Sequence, residues 1–244
     1  TTKMGLCPMM IAVMNEHSDI VDILLKAGVD VSRIHVEGIS PLMAACKSGV
    51  IGVVDLLLKA HADVNEFVRP KRPIKQSGYS PLMFAVEGGH AGVVKKLLKA
   101  GAKIIDANNP KLYPLPVAAE NGHDQVVEIL LGAGAEVNQV IEGDSPASGY
   151  SPLLLAAQHG HTNVLKCLIN NNANVNQRIE RGRNEGGSAL LLAVMNGKLS
   201  SVKLLIENGA DINAVHGEGW SSLLVAADKG HEDVVDLLLL NKNI

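Results

Sequence analysis

A three-residue phrase recurs seven times in this chain, and its spacing constrains the fold more than any single residue does. It reads Ser40-Pro41-Leu42, Ser80-Pro81-Leu82, Ser151-Pro152-Leu153, Ser188-Ala189-Leu190 and Ser221-Ser222-Leu223, with degenerate copies at Cys7-Pro8-Met9 and Tyr113-Pro114-Leu115. The second positions fall at 8, 41, 81, 114, 152, 189 and 222, in steps of 33, 40, 33, 38, 37 and 33. This is a base unit of 33 with three short insertions. Such a period means a stacked array rather than one globule around a central pocket.

The rest of the unit repeats as well. Eight residues past the second position stand Gly49, Gly89, Gly122, Gly160, Gly197 and Gly230. A valine pair follows in most copies, then a leucine cluster such as Leu56-Leu57-Leu58, then a Gly-Ala pair and a closing Asn65, Asn138, Asn176 or Asn213. Serine at the first position can cap a helix through its hydroxyl. Proline beside it suits the first turn, where no amide partner is available anyway. The glycine eight residues on ends this helix after about two turns. In the second helix Val54, Leu57 and Leu58 fall at i, i+3 and i+4, a core-facing stripe. The closing Gly28, Gly101, Gly134 and Gly209 supply a left-handed residue beyond its end. His61 stands in that register where its siblings carry glycine, so it is expected to bear up to about 1 kcal/mol of backbone strain. Each unit is helix, turn, helix and connector, and one unit cannot bury its own apolar face.

These residues resemble the ankyrin repeat family, whose pattern runs Thr-Pro-Leu-His, a double alanine, Gly-His, a valine pair, a double leucine, Gly-Ala and Asp-x-Asn. The resemblance spans essentially the whole chain and is closest from Ser80 to Ala102, Tyr113 to Asn138 and Ser221 to Leu239. It implies an all-α fold, a right-handed ankyrin solenoid of about seven helix–turn–helix repeats with β-hairpin-like connecting loops. The repeats are placed at 5–37, 38–65, 78–105, 111–138, 149–176, 186–213 and 219–244 of a single domain spanning 1–244, with insertions at 66–77, 139–148 and 177–185. Serine replaces the family's threonine. The family's histidine is replaced by Met10, Met43, Met83, Leu154, Leu191 and Leu224, so apolar packing is expected there instead of a hydrogen-bond network.

Charge and cysteine content narrow the function further. A net charge of −3 argues against a general nucleic-acid binder. Cys7, Cys46 and Cys167 lack metal-ligand spacing and suggest a reducing compartment, cytoplasmic or nuclear. Cys46 and Cys167 are expected in the packed interior. No apolar run is long enough for a membrane span. The last helix ends in Leu237 to Leu240 with no polar cap, and Leu240 stands where other units carry Lys59 or Lys99. Arrays need polar ends, so the chain reads as part of a longer polypeptide.

Core positions are committed to packing, so function is expected where exposed residues differ between units. By the resemblance, recognition uses the concave face: the hairpin tips and the exposed side of each first helix. The residue just before the triplet reads Leu6, Ile39, Tyr79, Leu112, Tyr150, Gly187 and Trp220. Three of the chain's six aromatic residues occupy this register, and Tyr113 lies beside it. Exposed there, Ile39, Tyr79, Leu112, Tyr113, Tyr150 and Trp220 would be partner anchors. The same rings could staple neighbouring hairpins, and both readings stay open. On the first helices Gln158 and His159 belong to a mixed polar row. Two insertions are basic, the first with Arg69, Lys71 and Arg72, the third with Arg178, Arg181 and Arg183. Arginine suits acidic stretches of a partner, although such loops could equally be plain solvated surface.

Nine histidines do not make a metal or catalytic site here. His17, His90, His123, His161 and His231 share one register, about one repeat apart, and read as structural. No phosphate-binding loop, HExxH or nucleophile elbow occurs. The expectation is a module that binds another protein or peptide, with no enzymatic activity, cofactor or metal. The alternative is a regulatory or targeting segment of a larger enzyme or channel, docked on its own catalytic part.

Overall fold

The computed structural model describes residues 7–32, 38–68, 77–105, 113–143, 146–180, 184–217 and 219–241. The chain divides into two compact units, Thr1–Pro114 and Leu115–Ile244. The expected helix pairs are present in both. In the first unit they are α1 (Pro8–Met14), α2 (Ser18–Lys26), α3 (Pro41–Ser48), α4 (Ile51–Lys59), α5 (Pro81–Glu87) and α6 (Ala91–Lys99). The remainder are α7 (Pro114–Glu120), α8 (Asp124–Gly132), α9 (Pro152–His159), α10 (Thr162–Asn170), α11 (Ala189–Met195), α12 (Leu199–Glu207), α13 (Ser222–Lys229) and α14 (Glu232–Leu240). Among the described residues the hairpin ladders reduce to two isolated antiparallel bridges, Arg178 with Ser188 and Val215 with Ser221.

Local chemistry sets the helix ends. Ser40, Ser80, Ser188 and Ser221 each sit in extended backbone and accept a hydrogen bond from the amide three residues on. Ser151 holds the same backbone but makes no such bond, and its buried hydroxyl has no partner among the described residues. The stop signal is a left-handed residue. Gly49, Gly160 and Gly230 take it directly as C-caps. In the first copy Glu16 fills the glycine's place at φ +61°. His61 adopts φ +60°, as its register demands.

Two layers result. In the first unit α3 packs on α1 and α5, and α4 on α2 and α6; in the second, α11 packs on α9 and α13, and α12 on α10 and α14. Of the stripe predicted in α4, Val54 and Leu57 are buried and Leu58 is half-buried. Leu57, Leu97, Leu130, Leu168, Leu205 and Leu238 occupy one register and are fully buried. Each contributes about 1.5–3 kcal/mol by leaving water.

The first helices α3, α5, α9 and α11 bury nearly their whole length, and Met10, Met43, Met83, Leu154 and Leu191 at the substituted histidine position are buried. Leu224 departs from that expectation and is 55% exposed. Its helix, α13, packs on one neighbouring first helix, α11, where α3 and α11 each pack on two. Cys167 also departs: Cys46 is buried, but Cys167 is only partly so.

Candidate functional site

The hairpin register differs from the sequence expectation in one consequential way. Tyr79, Tyr113 and Tyr150, expected at exposed tips, are only 8%, 8% and 6% exposed. The reason lies in the helix entry. Tyr79 directly precedes the capping Ser80, and its ring meets Phe84 edge-on with centroids 5.4 Å apart. A residue before the cap packed against the fourth helical residue is a hydrophobic staple. Tyr150 holds the same place before Ser151, and its hydroxyl accepts a hydrogen bond from Asn184 Nδ2, 34 residues on. Of these rings, Tyr150 reaches a neighbouring hairpin through Asn184, while Tyr79 packs on its own helix entry. The sequence carried the signal, since an aromatic residue stands one place before a Ser-Pro cap with an apolar residue five positions later. Ile39 and Trp220 remain half-buried and reach the surface. Leu112 lies outside the described residues.

The polar row lies where the register places it. Residues Pro152 to Ala157 of α9 are buried, then Gln158 is half-exposed and His159 exposed. The same break recurs in α3 before Lys47-Ser48 and at the end of α7 before Glu120-Asn121. Asn196, Asp228 and Lys229 extend the exposed set in the second unit. The helices α3, α7 and α9 thus show solvent a short polar end on a buried body.

Of the basic loops, Arg69, Lys71, Arg72, Arg181 and Arg183 lie outside the described residues. Arg178 is exposed and donates from Nη1 to the Val215 carbonyl at 3.0 Å. It thereby ties one hairpin to the next, a role the sequence reading did not assign.

The shared histidine register forms an interlock between repeats. Nε2 of His90 lies 3.0 Å from the Lys47 carbonyl, that of His161 2.9 Å from the Glu120 carbonyl, and that of His231 3.4 Å from the Met195 carbonyl. A carbonyl only accepts, so Nε2 carries the proton. Each ring sits over a glycine of the preceding repeat. A Cβ at Gly49 would come within 2.4 Å of His90, at Gly122 within 2.6 Å of His161, and at Gly197 within 2.8 Å of His231. The closing asparagines make a second ladder. Asn65 donates to Gly101 O and accepts from Lys103 N, and Asn176 does the same with Gly209 and Asp211.

One half-buried acid, Glu66, stands apart. The Glu66 carboxyl accepts from the Ser40 hydroxyl. Burial, reinforced by the charge of Asp63, raises its pKa above the ordinary carboxylate value, while the Ser40 bond acts the other way. The neighbouring Cys46 thiol is raised by its own burial first and by Glu66 second, so it stays protonated and unreactive. No group of three or more His, Cys, Asp or Glu among the described residues could hold a metal ion. No described helix is long and apolar enough to cross a membrane.

Comparison with known proteins places the architecture. The family model "Ankyrin repeats (3 copies)" matches residues 1–68, 67–141, 117–216 and 179–244. The chain belongs to the ankyrin repeat family. Among solved structures it is similar to the human ASB11 ankyrin repeat domain, with a TM-score of 0.80 and 26% identity over 96% of this chain and 97% of that one. It is also similar to the ankyrin repeat domain of Bcl-3, a member of the IkappaB protein family, with a TM-score of 0.73 and 26% identity over 96% and 99%. No curated protein matches the chain. Ankyrin repeat domains are in general non-enzymatic modules of protein–protein interaction.

Proposed function

We propose that this chain binds another protein, or an extended peptide, along the polar ends of its first helices and the adjoining hairpins. The carrying observation is the sharp break on α3, α7 and α9 between a buried body and an exposed polar end, seen at Lys47-Ser48, Glu120-Asn121 and Gln158-His159. Hydrogen-bonding ends held on packed helices lose little entropy when a partner docks. Trp220 and Ile39, both reaching the surface, supply apolar contact. Tyr79 and Tyr150 serve this surface from beneath at two of the helix entries. Arg178 uses one guanidinium N–H on Val215, and its remaining donors suit an acidic side chain of the partner.

The test is a pull-down comparing wild type with the Gln158→Ala, His159→Ala, Trp220→Ala triple variant. Polypeptides held by wild type and lost by the variant, with the melting temperature changed by less than about 2 °C, would support the reading. Equal capture by both would refute it. Tyr150→Ala serves as contrast, since emptying a buried aromatic site costs about 3–5 kcal/mol and acts on stability first.

A further inference from the structure

The second helices carry another surface, distinct from the face described above. Position five of these helices is often acidic, and the chain neutralises it in two ways. Asp22 on α2 pairs with Lys26 four residues on, at 2.6 Å. Asp55 on α4 pairs with Lys96 from the next second helix, at 2.7 Å. Glu128 holds the same position on α8 and has neither. Four residues on stands Gly132, and Cys167 of α10 stands in the register of Lys96. Among the described residues Glu128 has no ion-pair partner.

What remains between α8 and α10 is an open groove of about 360 Å³, lined by Asp124 and Glu128, four amide side chains and Cys167. Burial first, then the charges of Glu128 and Asp124, raise the Cys167 pKa. A thiol has no cationic form, so Cys167 cannot serve the carboxylates as Lys96 serves Asp55.

We propose that this groove docks a basic segment of a partner protein, whose lysine or arginine takes beside Glu128 the place that Lys96 takes beside Asp55. The chain itself displays the guest: two repeats earlier, between α4 and α6, the same geometry accommodates the Lys96 ammonium beside Asp55. Charge complementarity selects the occupant, and the amide rim can hydrogen-bond its backbone. An isolated exposed ion pair binds weakly, so the amides must share the work and the affinity must fall with salt.

The experiment titrates an acetylated, amidated tetra-arginine peptide into the isotope-labelled chain and follows amide NMR shifts. Shifts confined to Glu128, Cys167 and the side-chain amides of Asn163, Asn170 and Asn171 are expected. Glu128→Gln should weaken the peptide at least tenfold. Cys167→Lys, which supplies the missing ammonium internally, should do the same. Glu232→Gln, an exposed acid of α14 outside the groove, should leave the affinity unchanged. Shifts spread over the acidic surface, or equal affinity in Glu128→Gln and wild type, would overturn the proposal. So would magnesium or calcium ions shifting these residues where the peptide does not. Should Cys167→Lys fail to fold, Glu128→Gln against Glu232→Gln still decides.

Discussion

Gly49→Ala separates two costs that a repeat array normally confounds. Gly49 lies at φ +76°, and a Cβ there would come 2.4 Å from His90 Nδ1 and 2.5 Å from its Cε1. Gly101 lies at φ +90°, and a Cβ there would meet nothing within 4 Å. Alanine at Gly101 therefore bears only the left-handed backbone cost, about 1–2 kcal/mol. Alanine at Gly49 bears that and must also push the imidazole aside. The push breaks the His90–Lys47 hydrogen bond, which adds about 0.5–1.5 kcal/mol. At about 2–4 °C per kcal/mol for a chain of this size, Gly101→Ala should lower the melting temperature by roughly 2–8 °C. Gly49→Ala should lower it by about 1–6 °C more. Thermal unfolding followed by circular dichroism reads both. A double-mutant cycle with His90→Ala isolates the interlock, because without the ring Gly49→Ala should cost only as much as Gly101→Ala. If Gly49→Ala costs the same with His90 present or absent, the ring does not lock the repeats and the reasoning fails.

Two other perturbations test single features. His61→Gly places the residue its siblings use at φ +60°, so it should stabilise by about 1 kcal/mol; an unchanged or lower melting temperature would show that the imidazole offsets its strain. Glu66 has a raised folded pKa, so between the ordinary carboxylate value and the folded one the native state binds more proton than the unfolded state. Its contribution must then fall as pH rises through that window and stay low above it. Melting curves from pH 4 to 8 should show wild type losing stability with rising pH relative to Glu66→Gln, and a flat or opposite difference would contradict the assignment.

The repeat register is legible in the sequence because it rests on covalent facts: where glycine permits a left-handed turn, where proline tolerates a missing donor, where apolar residues recur. Those requirements account for the helix pairs, the closing turns at Gly28, Gly101, Gly134 and Gly209, and the strained His61. The direction of the tyrosines is less legible. Register places Tyr79 beside a cap, but whether its ring turns outward or back depends on Phe84 five residues later, a pairing that a search for exposed anchors passes over. The partial exposure of Cys167 escapes the sequence for a related reason. Its helix register faces the neighbouring second helix at the groove edge, so its burial depends on what stands opposite, and Glu128 with its amide neighbours leaves that edge open. Arg178 shows the same limit, since its carbonyl acceptor, Val215, lies 37 residues away.

The interlocks also explain why recognition has so few places to reside. A side chain that bridges repeats is fixed by the residue it covers: His161 cannot change without exposing Gly122 and the Glu120 carbonyl, and Asn176 cannot change without freeing Gly209 and Asp211. Such positions are specified by their neighbours and hold no information about a partner. Gly160 is instructive because the rule relaxes there: the aliphatic stem of Lys198 replaces the imidazole, with Cδ 2.7 Å from where a Cβ would sit. The space is still filled, but no ring is present to hydrogen-bond the preceding turn. That turn ends in Gln158 and His159, and His159 stacks on His161 at 5.9 Å. The first-helix end with the most distinctive exposed chemistry thus lies at the step where the histidine interlock is missing. A surface evolving to meet a partner has most freedom where the scaffold asks least of the backbone beneath it, and this step meets that condition.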